Sequence, residues 1–186
     1  MYSFSNGKKS KVALLRGVNV GSKNRLRMVD LTECLAGAGA GLNDVRTYIQ
    51  SGNICFTSRK TCTRLEALIH DSILNEFGFN VSVVVRERDY LIRLVEANPY
   101  LDSELPDIDV KQLYVILLQQ EPSAAALESL PVLEASDQYQ IIGDVVYLRI
   151  QGRFSDTKLT IAFFEKKLGV AATARNWKTI CKIAEM

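Results

Sequence analysis

Asp44-Val45-Arg46-Thr47-Tyr48-Ile49-Gln50-Ser51-Gly52-Asn53-Ile54-Cys55-Phe56-Thr57-Ser58 reads as two strands joined by a turn. Asp44 to Ile49 is rich in β-branched and aromatic residues, Ser51-Gly52 supplies the turn, and Asn53 to Ser58 returns. What flanks this hairpin decides the fold. Before it, the apolar run Val12 to Leu15, ended by Gly17, predicts a buried strand. Met28 to Ala38 then sets Met28, Leu31, Leu35 and Ala38 at helical spacing, with Gly37, Gly39 and Gly41 as the stop. After it, Thr63 to Phe77 repeats apolar residues as an amphipathic helix ended by Gly78, and Val81 to Val85 predicts a strand.

The order strand, helix, strand, strand, helix, strand is the split βαβ, or ferredoxin-like, pattern. Right-handed crossovers then place both helices on one face of an antiparallel sheet. The second half repeats it in part. A helix spans Glu87 to about Ala97, and an acidic loop leads to the strand Lys111 to Leu118. Pro122 opens a short helix, Gln138 to Ile142 and Val145 to Ile150 form a hairpin about Gly143-Asp144, and Leu159 to Leu168 is a helix ended by Gly169. The closing strand is not evident, and a last helix runs from about Asn176 to Ala184. The expected class is α+β, with two alpha-beta plait subdomains, the second modified, plus a C-terminal helix. Residues 1–10 are expected as a flexible extension, 11–86 as the first subdomain, 87–110 as a helix and acidic connection, and 111–186 as the second subdomain.

The 186 residues carry 47% hydrophobic and 24% charged side chains, ordinary globular values that argue against disorder. A net charge of +2 is too small for a dedicated nucleic-acid binder. Its distribution is uneven: Lys8, Lys9, Lys11, Arg16, Lys23, Arg25 and Arg27 precede the first acid, Asp30, whereas Glu96 to Asp109 holds five acids and no base. The four cysteines form no Cys-x-x-Cys pair and His70 stands far from them, so no metal and no cofactor are expected. No long apolar run and no signal-type N-terminus is present, which predicts a cytoplasmic chain with reduced, buried thiols.

Three polar clusters stand out. They are Leu14-Leu15-Arg16-Gly17-Val18-Asn19-Val20-Gly21, Arg46 to Asn53, and Thr173-Ala174-Arg175-Asn176-Trp177. Together with Asn98-Pro99-Tyr100 and Lys158-Leu159-Thr160, they make the chain resemble the bacterial family known as domain of unknown function 1697, from about Lys11 to the C-terminus. The resemblance implies a pair of ferredoxin-like halves and carries no activity. Ser22, Ala174 and Lys178 depart from the family's usual Gly, Thr and Asn, and Ala174 lacks a hydroxyl a site would use.

Gly17 and Gly21 allow close backbone approach after the first strand, and the loop leads into a helix, so Arg16, Asn19 and Lys23 are candidates for contacting an anion. The spacing is that of neither a P-loop nor a dinucleotide fingerprint. A tight turn alone also accounts for the glycines. Gln50, Ser51 and Asn53 add hydrogen-bonding groups, although Ser-Gly-Asn is equally good turn chemistry. Thr173 is a candidate helix cap, Arg175 and Asn176 are donors, and Trp177 either stacks on a ring or fills the core. His70 reads as a solvated surface residue and Cys55 as a buried inert thiol. No Ser-His-Asp set or paired carboxylates can be assembled.

The expected function is binding of a small phosphorylated or nucleotide-like ligand. One alternative is an acylphosphatase-like phosphohydrolase, in which Arg16 holds phosphate and Asn53 holds water, an analogy of fold and loop alone. The other is an RNA or protein interaction module. RNA recognition of the RRM type is weakly supported, because Asn53 to Ser58 has one aromatic and Val12 to Leu15 none. No membrane partner is expected.

Overall fold

In the computed structural model, residues 9–21, 24–37, 39, 41–101, 108–131 and 136–186 are described. Lys23, most of the N-terminal extension and the centre of the acidic connection lie outside them. The first unit runs through β1 (Lys9–Leu15), α1 (Met28–Gly37), β2 (Asn43–Tyr48), β3 (Asn53–Ser58), α2 (Cys62–Phe77) and β4 (Val83–Glu87). Its strands lie in the order β2-β3-β1-β4, each antiparallel to its neighbour. One sheet face presents Ala13, Leu15, Ile54, Phe56, Val83 and Val85 to Leu31 and Leu35 of α1 and Leu65, Ile69 and Ile73 of α2. Each such aliphatic side chain removed from water contributes about 1.5–3 kcal/mol. The Thr61 hydroxyl caps the start of α2 by accepting from the Arg64 amide, and Gly78 ends it in the left-handed conformation.

The hairpin turn approaches β1 closely. Gly52 has φ 72°, and a Cβ placed there would lie 2.8 Å from the Leu15 Cβ. Only glycine meets both the dihedral and the space. The Leu15 amide donates to the Gly52 carbonyl at 2.9 Å and so fixes the turn against the end of β1.

The second compact unit starts after Leu91, within α3 (Arg88–Glu96). A 3-10 turn, Val110–Gln112, leads into β5 (Leu113–Leu118). There follow α4 (Ala124–Glu128), β6 (Gln138–Ile142), β7 (Val145–Arg149), α5 (Ile161–Leu168), β8 (Ala172–Asn176) and α6 (Trp177–Glu185). The strand order is β6-β7-β5-β8, again antiparallel throughout. Ile116, Leu118, Val146, Leu148, Phe164 and Leu168 centre its core. The closing strand missing from the sequence reading is β8. It escaped because Ala172 to Asn176 is short, small and polar rather than apolar. Thr173, expected as a helix cap, is instead buried in this strand, and the Asn176 side chain caps α6 by accepting from the Thr179 amide at 2.8 Å.

The architecture is mixed α+β with two four-stranded antiparallel sheets, consistent with two ferredoxin-like halves. No helix among the described residues is long and apolar enough to cross a membrane.

Two measurements probe these contacts. Gly52→Ala is expected to lower the unfolding free energy by about 2–4 kcal/mol in urea titration, combining left-handed strain with overpacking. Gly17→Ala, with open space at its Cβ, should cost only about 1 kcal/mol. Separately, burial pushes Tyr100 and Tyr147 up to about 12, and the Tyr147 hydroxyl donates to the Leu94 carbonyl at 2.9 Å. The fold prefers these phenols neutral, whereas the unfolded chain ionises them near pH ~10. Their contribution is complete below the unfolded value and lost as pH rises through about 12. The urea midpoint should therefore fall across that alkaline window, less steeply in Tyr147→Phe; an unchanged midpoint contradicts the assignment.

Candidate functional site

Residues 16–27 connect β1 to α1, and the described part of this loop turns through left-handed positions at Gly17, Asn19, Gly21 and Asn24. Asparagine tolerates that region because its short amide can bond locally. Asn19 Nδ2 donates to the Leu26 carbonyl at 2.8 Å and to the Gln50 carbonyl at 2.7 Å, while its Oδ1 accepts from the Leu26 amide at 2.8 Å. Asn24 Nδ2 donates to the Gly17 carbonyl at 3.2 Å. Asn19 thus ties both ends of the loop to the hairpin turn. Both its N–H groups are spent on carbonyls, so it positions the loop and has no donor left for an anion.

The hairpin turn is built in the same way. Asn53 is fully buried, and its Nδ2 donates to the Tyr48 carbonyl at 3.0 Å and to Ser51 Oγ at 2.9 Å. Ile49 holds φ 48°, a costly conformation for a β-branched side chain, and is nearly half exposed at 49%. Gln50 beside it is exposed.

Between the two loops lies an open groove of about 380 Å³ lined by Asn19, Gly21, Arg25, Leu26, Arg27 and Gln50. Two of those six residues are cations and none is an acid. Arg27 Nε lies 3.6 Å from an Asp30 oxygen, an exposed pair of small energetic weight. Arg27 directly precedes Met28, the first residue of α1, so the positive end of that helix dipole lies at this end of the groove. Arg25 and Arg27 belong to the basic N-terminal segment, and neither falls within the three polar clusters that mark site residues in the sequence. The signal was there: two cations flanking Leu26 immediately before a helix start.

The third cluster is built in the second unit. Arg175, in β8, donates from one guanidinium nitrogen to Thr173 Oγ1 at 2.8 Å and to the Ala174 carbonyl at 2.7 Å. Burial pulls its pKa down to about 10. Trp177 is buried at the start of α6. The structure therefore joins the first two clusters around one groove in the first unit, and gives Thr173, Arg175, Asn176 and Trp177 positions in a strand and at a helix start.

His70, expected to be solvated, is only partly exposed, and its Nδ1 lies 2.8 Å from the Val81 carbonyl. It sits off the apolar stripe of α2 yet reaches the loop before β4, a contact that spacing along one helix does not reveal. Burial pushes the Cys55, Cys34 and Cys181 thiols up. Among the described residues no group of three or more His, Cys, Asp or Glu side chains is placed to hold a metal ion.

The family model described as "Protein of unknown function (DUF1697)" matches residues 9–147, more than half of the chain. This chain belongs to the DUF1697 family. The match takes in both loops of the groove, whereas the third cluster lies beyond it. No curated protein matches the DUF1697 chain. Among solved structures it is similar to the conserved bacterial protein SP0830 from Streptococcus pneumoniae, at 23% identity and a TM-score of 0.72, over 96% of this chain and 98% of that one. At that identity the likeness establishes a shared fold.

Asn19→Ala removes three hydrogen bonds at a left-handed position. It should lower stability by about 2–4 kcal/mol and speed amide exchange at Leu26; unchanged exchange there shows that Asn19 does not hold the loop.

Proposed function

We propose that this chain binds a small phosphorylated or nucleotide-like anion in the groove between the β1–α1 loop and the β2–β3 turn. The observation that carries the reading is the lining itself, with Arg25 and Arg27, the left-handed Gly21 and no carboxylate among its described residues, on a loop whose backbone the Asn19 staple holds. The staple fixes the loop backbone that carries Arg25 and Arg27; both side chains are exposed and are ordered only when an anion binds, at a cost in side-chain entropy. Arg25 and Arg27 supply the charge, Gln50 a polar amide, and the start of α1 its dipole. Arg16 stands at the root of the loop, its amide bonded to the Ser82 carbonyl at 2.9 Å, and orients it.

Binding is favoured over acyl phosphate hydrolysis. The Asn53 amide, which that chemistry needs for holding water, spends both its hydrogens on the Tyr48 carbonyl and Ser51. Thr173, Arg175, Asn176 and Trp177 serve the fold of the second unit in this reading. Each half is taken as an alpha-beta plait, which the identical strand orders support. A cytoplasmic bacterial setting fits the four unpaired cysteines.

The test is a thermal-shift titration with inorganic phosphate, nucleoside monophosphates and sugar phosphates, run beside the Arg25→Ala/Arg27→Ala double variant. A ligand at 100 times its Kd adds roughly 2.7 kcal/mol, enough to raise Tm by several degrees. A rise for at least one phosphorylated class that disappears in the double variant is expected. A flat response to the whole panel overturns the proposal.

A further inference from the structure

Each sheet has two edge strands, and a bare edge is a template for pairing with another chain. Three of the four edges are closed by identifiable devices. At β4 the Val85 amide donates to Glu66 Oε1 of α2 at 2.9 Å, and Arg86 covers the Val85 carbonyl at 2.8 Å. At β8 the Ala172 amide donates to Glu165 Oε1 of α5 at 2.9 Å, and Arg175 covers the Ala174 carbonyl at 2.7 Å. The β2 edge carries the charged Asp44 and Arg46, and its register shifts between Asn43 and Arg46.

The fourth edge, β6, has none of these. Gln138-Tyr139-Gln140-Ile141-Ile142 holds no charge, proline or glycine, and its register with β7 runs unbroken. The two-residue turn Gly143-Asp144, with Gly143 at φ 59°, closes on the Ile142 and Val145 pair. Hydrogen-bonded and non-bonded pairs alternate from there, so Ile142, Gln140 and Gln138 bond to β7 while the N–H and C=O groups of Tyr139 and Ile141 point outward. Among the described residues no strand pairs with this side. An open groove of about 620 Å³, walled by Tyr100, Leu127, Leu130 and Pro131, runs beside it.

We propose that the outer edge of β6 pairs antiparallel with the same strand of a second copy, about a two-fold axis at Gln140. The edge is self-complementary in that register. Tyr139 lies opposite Ile141 of the partner subunit, so the residues with outward backbone groups on each strand meet one another and exchange four hydrogen bonds. The facing side chains form aromatic with β-branched pairs, which favour antiparallel association. Gln140 meets its own copy on the axis, where a charge would meet its like, so a neutral residue at this position permits a two-fold here, and the other four residues bring no like-charge pair. Two strands this short cover less than the ~1,200–2,000 Å² of a stable interface, so the dimer is weak and concentration-dependent.

Sedimentation velocity across the micromolar to millimolar range tests this on the wild type, Gln140→Lys, Gln140→Glu and an equimolar mixture of the two variants. Gln140 is exposed, so both substitutions leave the fold intact, which circular dichroism checks. The wild type should dimerise as concentration rises, and each variant alone should weaken dimerisation by about tenfold or more because like charges meet on the axis. The mixture should restore it. A wild type that stays monomeric, or variants that dimerise as it does, overturns the proposal. Loss in both variants without rescue in the mixture overturns the two-fold register.

Discussion

The first unit depends on the approach of Gly52 to Leu15. One amide-to-carbonyl bond of 2.9 Å and the space that a missing Cβ leaves bring the hairpin turn down onto the end of β1. The β1–β3 register follows, from Lys9 opposite Ser58 to Leu14 opposite Asn53. With it, alternate side chains of both strands fall on the face that α1 and α2 cover, and a slip of one residue would turn them all to the other face. The same approach brings Gln50 beside the β1–α1 loop, where Asn19 takes its carbonyl and closes one wall of the groove. Fold and candidate site thus share one constraint.

The two halves use a common set of devices. Thr61 and Thr160 cap α2 and α5, Gly78 and Gly169 end them, and Glu66 and Glu165 reach from those helices to the edge amides of β4 and β8. Arg86 and Arg175 each turn back onto the carbonyl of the preceding residue. This correspondence gives Arg175 a role that needs no ligand. It covers a part-buried backbone acceptor at the sheet edge, and it carries a buried charge at the cost of a lowered pKa.

Much of the fold was legible in sequence because its signals are local. The helical spacing of Leu65, Ile69 and Ile73, the αL-favouring glycines after the helices and the two hairpin turns each operate within a few residues. The closing strand β8 was not legible. Ala172-Thr173-Ala174-Arg175-Asn176 has little intrinsic strand preference, and pairing with β5 together with the cap from Glu165 makes it a strand. The candidate site was legible as an address and not as a division of labour. Asn19 and Asn53 carried the same polar signal as a binding residue would, yet their hydrogen bonds go to carbonyls and a hydroxyl of the same loops.

By itself the sequence determined the element order, the helix ends and the places where the chain must turn, since dihedral restriction and apolar spacing act between near neighbours. The tertiary structure decided which polar groups remain available. It spent the amides of Asn19 and Asn53, set Arg25 and Arg27 beside a groove, and closed three sheet edges while, among the described residues, pairing no strand with the outer side of β6. The physical reason is that a hydrogen-bonding group is satisfied by whatever lies within about 3 Å of it. For a side chain on a loop, that neighbour is chosen by residues distant in sequence.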